Sequence, residues 1–514
     1  MIENACICLA TSTHCNGGPA GAKQIRGTDC QMVGLLHCDC RLPGPTKRTS
    51  SAAMAAGKAV WMAQARSTAG SMMVAASCGV AVGWASSAVV KLQDRTGPFQ
   101  LTDDQASWVV SLNDVGILLG SLLSGLCFSV LGRRATLLLC PLLLLGWAAL
   151  TFAATAPAFL YVARLLSGAG MAVHFVYGNV YLAEVSVRSS RGLLSLLTSL
   201  FAMAGTLLQF CVGPYVSYRT QAWLGALPAA AALVLLLLFT VESPYYLAMR
   251  DRPDEMLAAL ARLRGCSVES DALRDEAHEI ERTVERQRSA GSLLAALCSP
   301  ASRRAASVGV VVQATAPLFG ESVLMAYAQK IFIISGSPLG DAQSAIVLYV
   351  AQASACLACT ALVDRWGRRT LLSVSCLGNC IGMAVLSAYL GASPDRQGPL
   401  QWIPLASLLL FVVSCSLGAN PVPGLLLAEL LPQRAKPLMA PLSMMLFSVT
   451  AFAVSKSFLA LGEAAGMFAP FAVFAAWNAL AVAFTRLFVP ETKNKSLAEV
   501  YGMLSGREEA PKQN

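Results

Sequence analysis

DRWGRRTLL, Asp364 to Leu372, places four charged side chains in six positions between two oily runs. SAIVLYVAQASACLACTALV (344–363) precedes it, and LLSVSCLGNCIGMAVLSAYL (371–390) begins before it ends. Each run is about as long as the ~20 apolar residues that carry a helix across ~30 Å of hydrocarbon. The charges between them mark the point where the chain turns in water.

The stretch has an echo. LGRRATLL (Leu131–Leu138) repeats WGRRTLL, and Gly132 and Gly367 lie 235 positions apart. AEVSVRSSRG (Ala183–Gly192) repeats as AELLPQRAKP (Ala428–Pro437), with Glu184 and Glu429 245 apart. Two motifs repeating at nearly one offset divide the chain into two similar halves.

Composition agrees with a bilayer setting. The 514 residues are 55% hydrophobic and 13% charged, with mean hydropathy +0.58, against about 25% charged in soluble domains. Twelve windows pass as spans: 68–90, 106–130, 136–156, 158–183, 193–216, 222–241, 306–333, 343–363, 370–390, 402–428, 438–461 and 466–489. A spanning segment must satisfy its own backbone, so these read as helices. The expected class is an all-α membrane protein with twelve transmembrane helices in two six-helix bundles.

The expected organisation is a cytosolic, disordered tail over 1–66, a six-helix bundle over 67–242, a cytosolic linker over 243–305, a second bundle over 306–490 and a cytosolic tail over 491–514. In the linker, Met256, Leu260 and Leu263, then Leu273, Ala277, Ile280 and Val284, recur at helical spacing and predict short amphipathic helices. Lys and Arg gather on one side of the spans, at Arg133, Arg134, Arg188, Arg191, the linker, Arg365–Arg369, Arg434, Lys436, Lys493 and Lys495. By the positive-inside rule that side is cytoplasmic, with both termini on it. The net charge of +9 is therefore topology and lipid contact, with no nucleic-acid partner.

Of seventeen cysteines, eleven lie from Cys78 onward, mostly inside apolar runs where Cys acts as a small hydrophobe. The other six lack metal-site spacing, HCDC (His37–Cys40) being the nearest approach. No metal or cofactor is expected. The chain offers no nucleophile, base and metal constellation for an enzyme.

Gly132 and Gly367 permit tight reversals, and the arginines beside them can reach carboxylates at neighbouring helix ends. The expectation is a latch between the two halves, drawn from Arg133, Arg134, Glu184, Arg191, Glu242, Asp364, Arg368, Arg369, Glu429 and Lys436. Positive loops that only set orientation are the alternative.

The chain resembles the sugar porter branch of the major facilitator superfamily. The resemblance is carried by Asp364–Arg369, RLLSGAG from Arg164, the Glu184–Arg191 block, VESPYYL (Val241–Leu247), NPVPGLLLAEL (Asn420–Leu430) and PETKNKSLAEV (Pro490–Val500). LTDDQASWV (Leu101–Val109) and VSKSF (Val454–Phe458) look most like insect facilitated trehalose transporters. The resemblance implies a central cavity, alternating access, and charges that tie the cytoplasmic ends together when the cavity faces outward. It also implies a facilitative sugar carrier in the plasma membrane.

The sugar-holding positions depart from that pattern. Where the family reads Gln-Gln-x-Ser-Gly-x-Asn, this chain has Ala316-Pro317-Leu318-Phe319-Gly320-Glu321-Ser322. Gly424 replaces a Trp, and Gln352 stands where the family has Asn. The substrate-binding candidates are Gln313, Glu321, Ser322, Gln352 and Asn420. Asp114, Glu321, His174 and Lys456 are ionisable residues within spans and so candidates for function, with Lys456 read as structural and His174 as a hydrogen-bonded packing residue. The expected function is facilitative transport of a hexose or a disaccharide such as trehalose. A carrier of another small solute through Glu321 or Asp114, and a non-transporting sensor, are the alternatives.

Overall fold

The computed structural model describes residues 47–94, 97–289, 300–392, 399–431, 435–493, 495 and 499. Residues Ala55–Asn514 belong to one compact unit, and the description concerns its described part. Twelve helices are long and apolar enough to cross a membrane: Val60–Gln93, Asp103–Leu123, Arg133–Ala153, Pro157–Val185, Ser189–Tyr215, Tyr218–Phe239, Ser302–Ser335, Asp341–Val363, Arg368–Ala392, Leu400–Leu430, Met439–Ala465 and Phe468–Phe488. They are called the first to the twelfth span.

The count agrees with the sequence reading, and the ends move by a few residues. The exception is the first span, whose helix runs Lys47–Gln93. The boundary expected at 66/67 thus falls inside a helix. The alanines between Lys47 and Val60 favour helix despite Gly57, while the Lys, Arg, Thr and Ser among them keep the stretch from being apolar enough to read as membrane. The HCDC stretch and the remainder of the first tail lie outside the described residues.

Spans two to four and six pack together, as do spans nine, ten and twelve. The halves meet where the second span lies on the eleventh and the fifth on the eighth. Close approach relies on small residues: a Cβ on Gly168 would lie 2.0 Å from the Asn113 carbonyl, and one on Gly205 2.0 Å from that of Ala76. Helices pack this way in lipid, where burial alone gives little drive for association.

The repeat extends to irregularities. The fourth span opens into a π turn at His174–Gly178 and the tenth into another at Cys415–Ala419. His174 is buried, and its Nδ1 finds no hydrogen-bond partner within the protein. It packs 5.8 Å from Phe175, so the expected hydrogen bond at that nitrogen is not made. A π turn adds a residue to the helical repeat, which periodicity alone does not foresee.

Between the halves, helices Pro244–Met249, Pro253–Arg264 and Asp271–Ser289 bury Leu247, Met256, Leu260, Leu273, Ala277, Ile280 and Val284 in one cluster. Leu263 instead joins the main core. Arg264 fastens the group to the fourth span, donating to the Val185 carbonyl at 3.1 Å while paired with Glu276.

Candidate functional site

At the linker end, each copy of the GRR motif starts a helix. Gly132 has φ +93° and Gly367 φ +83°, a region open to glycine at little cost. Glu242 accepts the backbone N–H of Arg133 at 2.9 Å and of Arg134 at 3.2 Å. Glu491 does the same for Arg368 at 3.0 Å and Arg369 at 3.1 Å. A carboxylate thus satisfies otherwise orphaned amides at the positive end of the third and ninth spans. Each comes from the segment just after its half's last span.

The arginine side chains complete the pattern. Arg133 pairs with Glu184 at 3.1 Å, and Arg368 with Glu429 at 2.8 Å. Arg134 donates to the Leu237 carbonyl at 2.8 Å and Arg369 to that of Arg486. Arg191 donates to the Ala183 carbonyl at 2.9 Å. The expected tie between halves is therefore not what these pairs make in this conformer: each joins groups of its own half. Arg369 meets a carbonyl rather than Glu429, and Glu242 takes backbone N–H groups. The side chains of Asp364 and Lys436 lie outside the described residues. Glu491 was missed, although its place after the twelfth span mirrors that of Glu242 after the sixth.

The opposite end joins the halves directly. Lys330 of the seventh span pairs with Asp103 at the start of the second. Lys456 of the eleventh donates to Asp104 at 2.6 Å and to Ser107 at 2.8 Å, lying 4.3 Å from the centre of the Trp108 ring. Trp108 packs on Phe452 at 6.0 Å. Beside Lys330, the Gln329 backbone N–H donates to the Ser86 hydroxyl at 3.2 Å, and deeper in the Ser455 hydroxyl donates to Asp114 at 3.0 Å. Lys456 thus has a cross-half carboxylate partner, and Asp114 lies in the seam between the halves.

Among the substrate candidates, the seventh span supplies the break that makes the site. Pro317 lacks an N–H and Gly320 has φ +99°, so the helix passes through a 3-10 turn at Ala316–Phe319 and restarts at Glu321. Asn478 donates to the freed Phe319 carbonyl at 3.2 Å, as irregular backbone at membrane depth requires. Glu321 Oε1 accepts from Gln352 at 2.5 Å and Asn420 at 2.8 Å, and Cys415 Sγ lies 3.8 Å from Oε2. Three spans of one half converge there.

The fold places this cluster beside the seam. Tyr349, one turn from Gln352, stacks on Phe210 of the fifth span at 5.2 Å and donates to the Met203 carbonyl at 3.3 Å. Gln313 faces the tenth span, where a Cβ on Gly424 would lie 3.8 Å from its Oε1. The enclosed Oε1 atoms of Gln313 and Gln352 have no partner within the protein. Ser322 is exposed, apart from the three-residue cluster's hydrogen bonds. Among the described residues no group of three or more His, Cys, Asp or Glu could hold a metal ion.

Residues 53–504 match the family model described as "Sugar (and other) transporter". The chain belongs to this family. It is 30% identical over 443 residues to the facilitated trehalose transporter Tret1 of Anopheles gambiae, a match covering 85% of this chain and 55% of that one. The chain thus spans about half the length of that protein and of its Aedes aegypti counterpart. Tret1 of Culex quinquefasciatus is 30% identical over 442 residues, 85% of this chain and 84% of that one. The facilitated glucose transporter member 8 of solute carrier family 2 from Mus musculus is 30% identical over 488 residues, 90% and 98% of the two chains. The fold is that of the xylose transporter XylE from E. coli in a partially occluded inward open conformation, with TM-score 0.69 at 20% identity over 84% of this chain and 99% of that one. It is a twelve-helix fold of the major facilitator superfamily, in an integral, multi-pass membrane protein.

Proposed function

We propose that this family member is a facilitative carrier of a sugar, a hexose or a disaccharide such as trehalose, and works by alternating access. The observation that carries the proposal is the asymmetry of the seam. Cross-half contacts by Lys330, Lys456 and Ser455 close one end, while a polar cluster of Glu321, Gln352 and Asn420 stands beside the seam toward the other. Similar halves about a site at membrane depth are the general plan of secondary transporters. The relatives named for facilitated sugar transport support the substrate class.

On this reading the linker end is cytoplasmic, with both termini, which the arginines at that end support, and the membrane is the plasma membrane. The conformer then faces inward. In the outward-facing conformer, Arg133, Arg368, Arg369 and the glutamates beside them form the latch between halves, exchanging partners as the linker end closes. The bundles 67–242 and 306–490 rock as units about the seam.

Transport is passive in this proposal. The first span carries no acid from Ser67 to Val90, where proton-coupled sugar porters place one. Purified protein in liposomes, given labelled glucose and trehalose, is expected to equilibrate one of them without accumulation under an inward proton gradient. Accumulation abolished by a protonophore contradicts the passive mechanism. Binding without any uptake makes the protein a sensor.

A further inference from the structure

We infer that Glu321 receives a positively charged group of the transported solute, which is a sugar carrying an ammonium, of the hexosamine class. This rests on the carrier reading above and names its substrate class. The carboxylate has only neutral partners: two amides on Oε1, and a thiol 3.8 Å from Oε2. A thiol is a weak donor, and an ionised carboxylate has about four acceptor sites. Among the described residues no arginine, lysine or histidine forms an ion pair with Glu321.

The neighbouring groups add acceptors rather than donors. Donating Nε2 to Glu321 fixes the orientation of the Gln352 amide and leaves its Oε1 enclosed without a partner. Gln313 Oε1, about two turns earlier on the seventh span, is in the same condition. An ionised group at membrane depth is costly unless paired, and a cationic donor on the solute would supply the pairing that the protein's own neutral groups do not. An ammonium brings three N–H donors and no acceptor, and its hydrogen bond to a carboxylate is about twice as strong as a neutral one. The sugar hydroxyls donate to the remaining amide oxygens. Gly424 leaves open the space beside Gln313 that a larger side chain would occupy.

Three probes separate the charge from the ring: D-glucosamine, D-glucose and N-acetyl-D-glucosamine, whose nitrogen is neutral. Each is titrated against the purified full-length protein at neutral pH, with ethanolamine as an amine without a ring. The expected result is glucosamine binding about tenfold tighter than glucose or the acetylated sugar, equivalent to about 1.4 kcal/mol. In Glu321→Gln that preference falls to within about twofold, and in Glu321→Asp, which keeps the charge, it persists in part. Equal binding of the three sugars by the wild type, or a preference that survives Glu321→Gln, overturns the inference. Should Glu321→Gln fail to fold, the comparison of free and acetylated amine in the wild type still decides. Binding of ethanolamine with no sugar bound would retain the charge receptor and remove the sugar reading. Binding of glucose alone would do the reverse.

Discussion

The two ends of the molecule are both rich in ion pairs, but they do different work. At the linker end the pairs are duplicated: Arg133 with Glu184 and Arg368 with Glu429, over caps from Glu242 and Glu491. Each set staples one half to itself. At the far end the pairs occur once, Lys330 with Asp103 and Lys456 with Asp104, and bind one half to the other. The duplicated motif is therefore architecture that both halves need, whatever else it does when the linker end closes. In the proposed cycle the single-copy contacts are the ones that must part when the far end opens.

The strongest way to break this comparison is through the staples. A Cβ on Gly367 would lie 2.6 Å from the Glu491 carboxylate, at a φ of +83°. Gly367→Ala is expected to destabilise the protein by about 2–4 kcal/mol, through backbone strain and loss of the cap. Thermal unfolding in detergent measures it. Gly192→Ala is the control, since nothing lies within 4 Å of its Cβ, and it is expected to leave stability unchanged or raise it by about 0.5–1 kcal/mol. Equal effects of the two substitutions would mean that the GRR turn is not a structural element.

A smaller effect is expected at the far end. Lys456→Met removes the contact with Asp104, which is 74% exposed, and the contact with the Trp108 ring. Screening at so open a site limits the loss to about 1 kcal/mol, including the cation–π part. The balance should shift toward the conformer open at the far end. A reporter cysteine in the seam, in a background without reactive cysteines, should react about threefold faster with an impermeant reagent from that side. An unchanged rate would make Lys456 a surface ornament of this conformer.

The smallest effect sharpens the account of the linker end. If Glu429 makes stronger contacts in the closed form of that end than its pair with Arg368 does here, Glu429→Gln favours the open form by at most about 1 kcal/mol, because the pair is partly exposed. Labelling of an inner-cavity cysteine from the linker side should rise accordingly. No change leaves the pair as a staple alone.

What the sequence made legible follows the same division. The spans, the repeat and the glycines at 132 and 367 were readable, because hydropathy and backbone conformation are local properties. Glu491 carried a readable signal too, standing after the twelfth span as Glu242 stands after the sixth. The pairing of Lys456 with Asp104, 352 positions away, was not. Periodicity gives the face a side chain occupies, but not the rotation of one helix against another. The same limit hid the role of Asp114, which reads as a lone acid in a span until Ser455 is set against it. Glu321, Gln352 and Asn420 could each be singled out by type, while their convergence depends on the break at Pro317 and Gly320.

Alternating access with a closed far end is tested most directly by holding that end shut. Asp104 and Lys456 are replaced by cysteine in a background without other reactive cysteines. The pair is then bridged by a reversible bis-methanethiosulfonate in protein reconstituted into liposomes. Sugar exchange should stop when the bridge is in place and return on reduction, while sugar still binds from the linker side. Exchange that continues unchanged through the bridged protein would contradict the account.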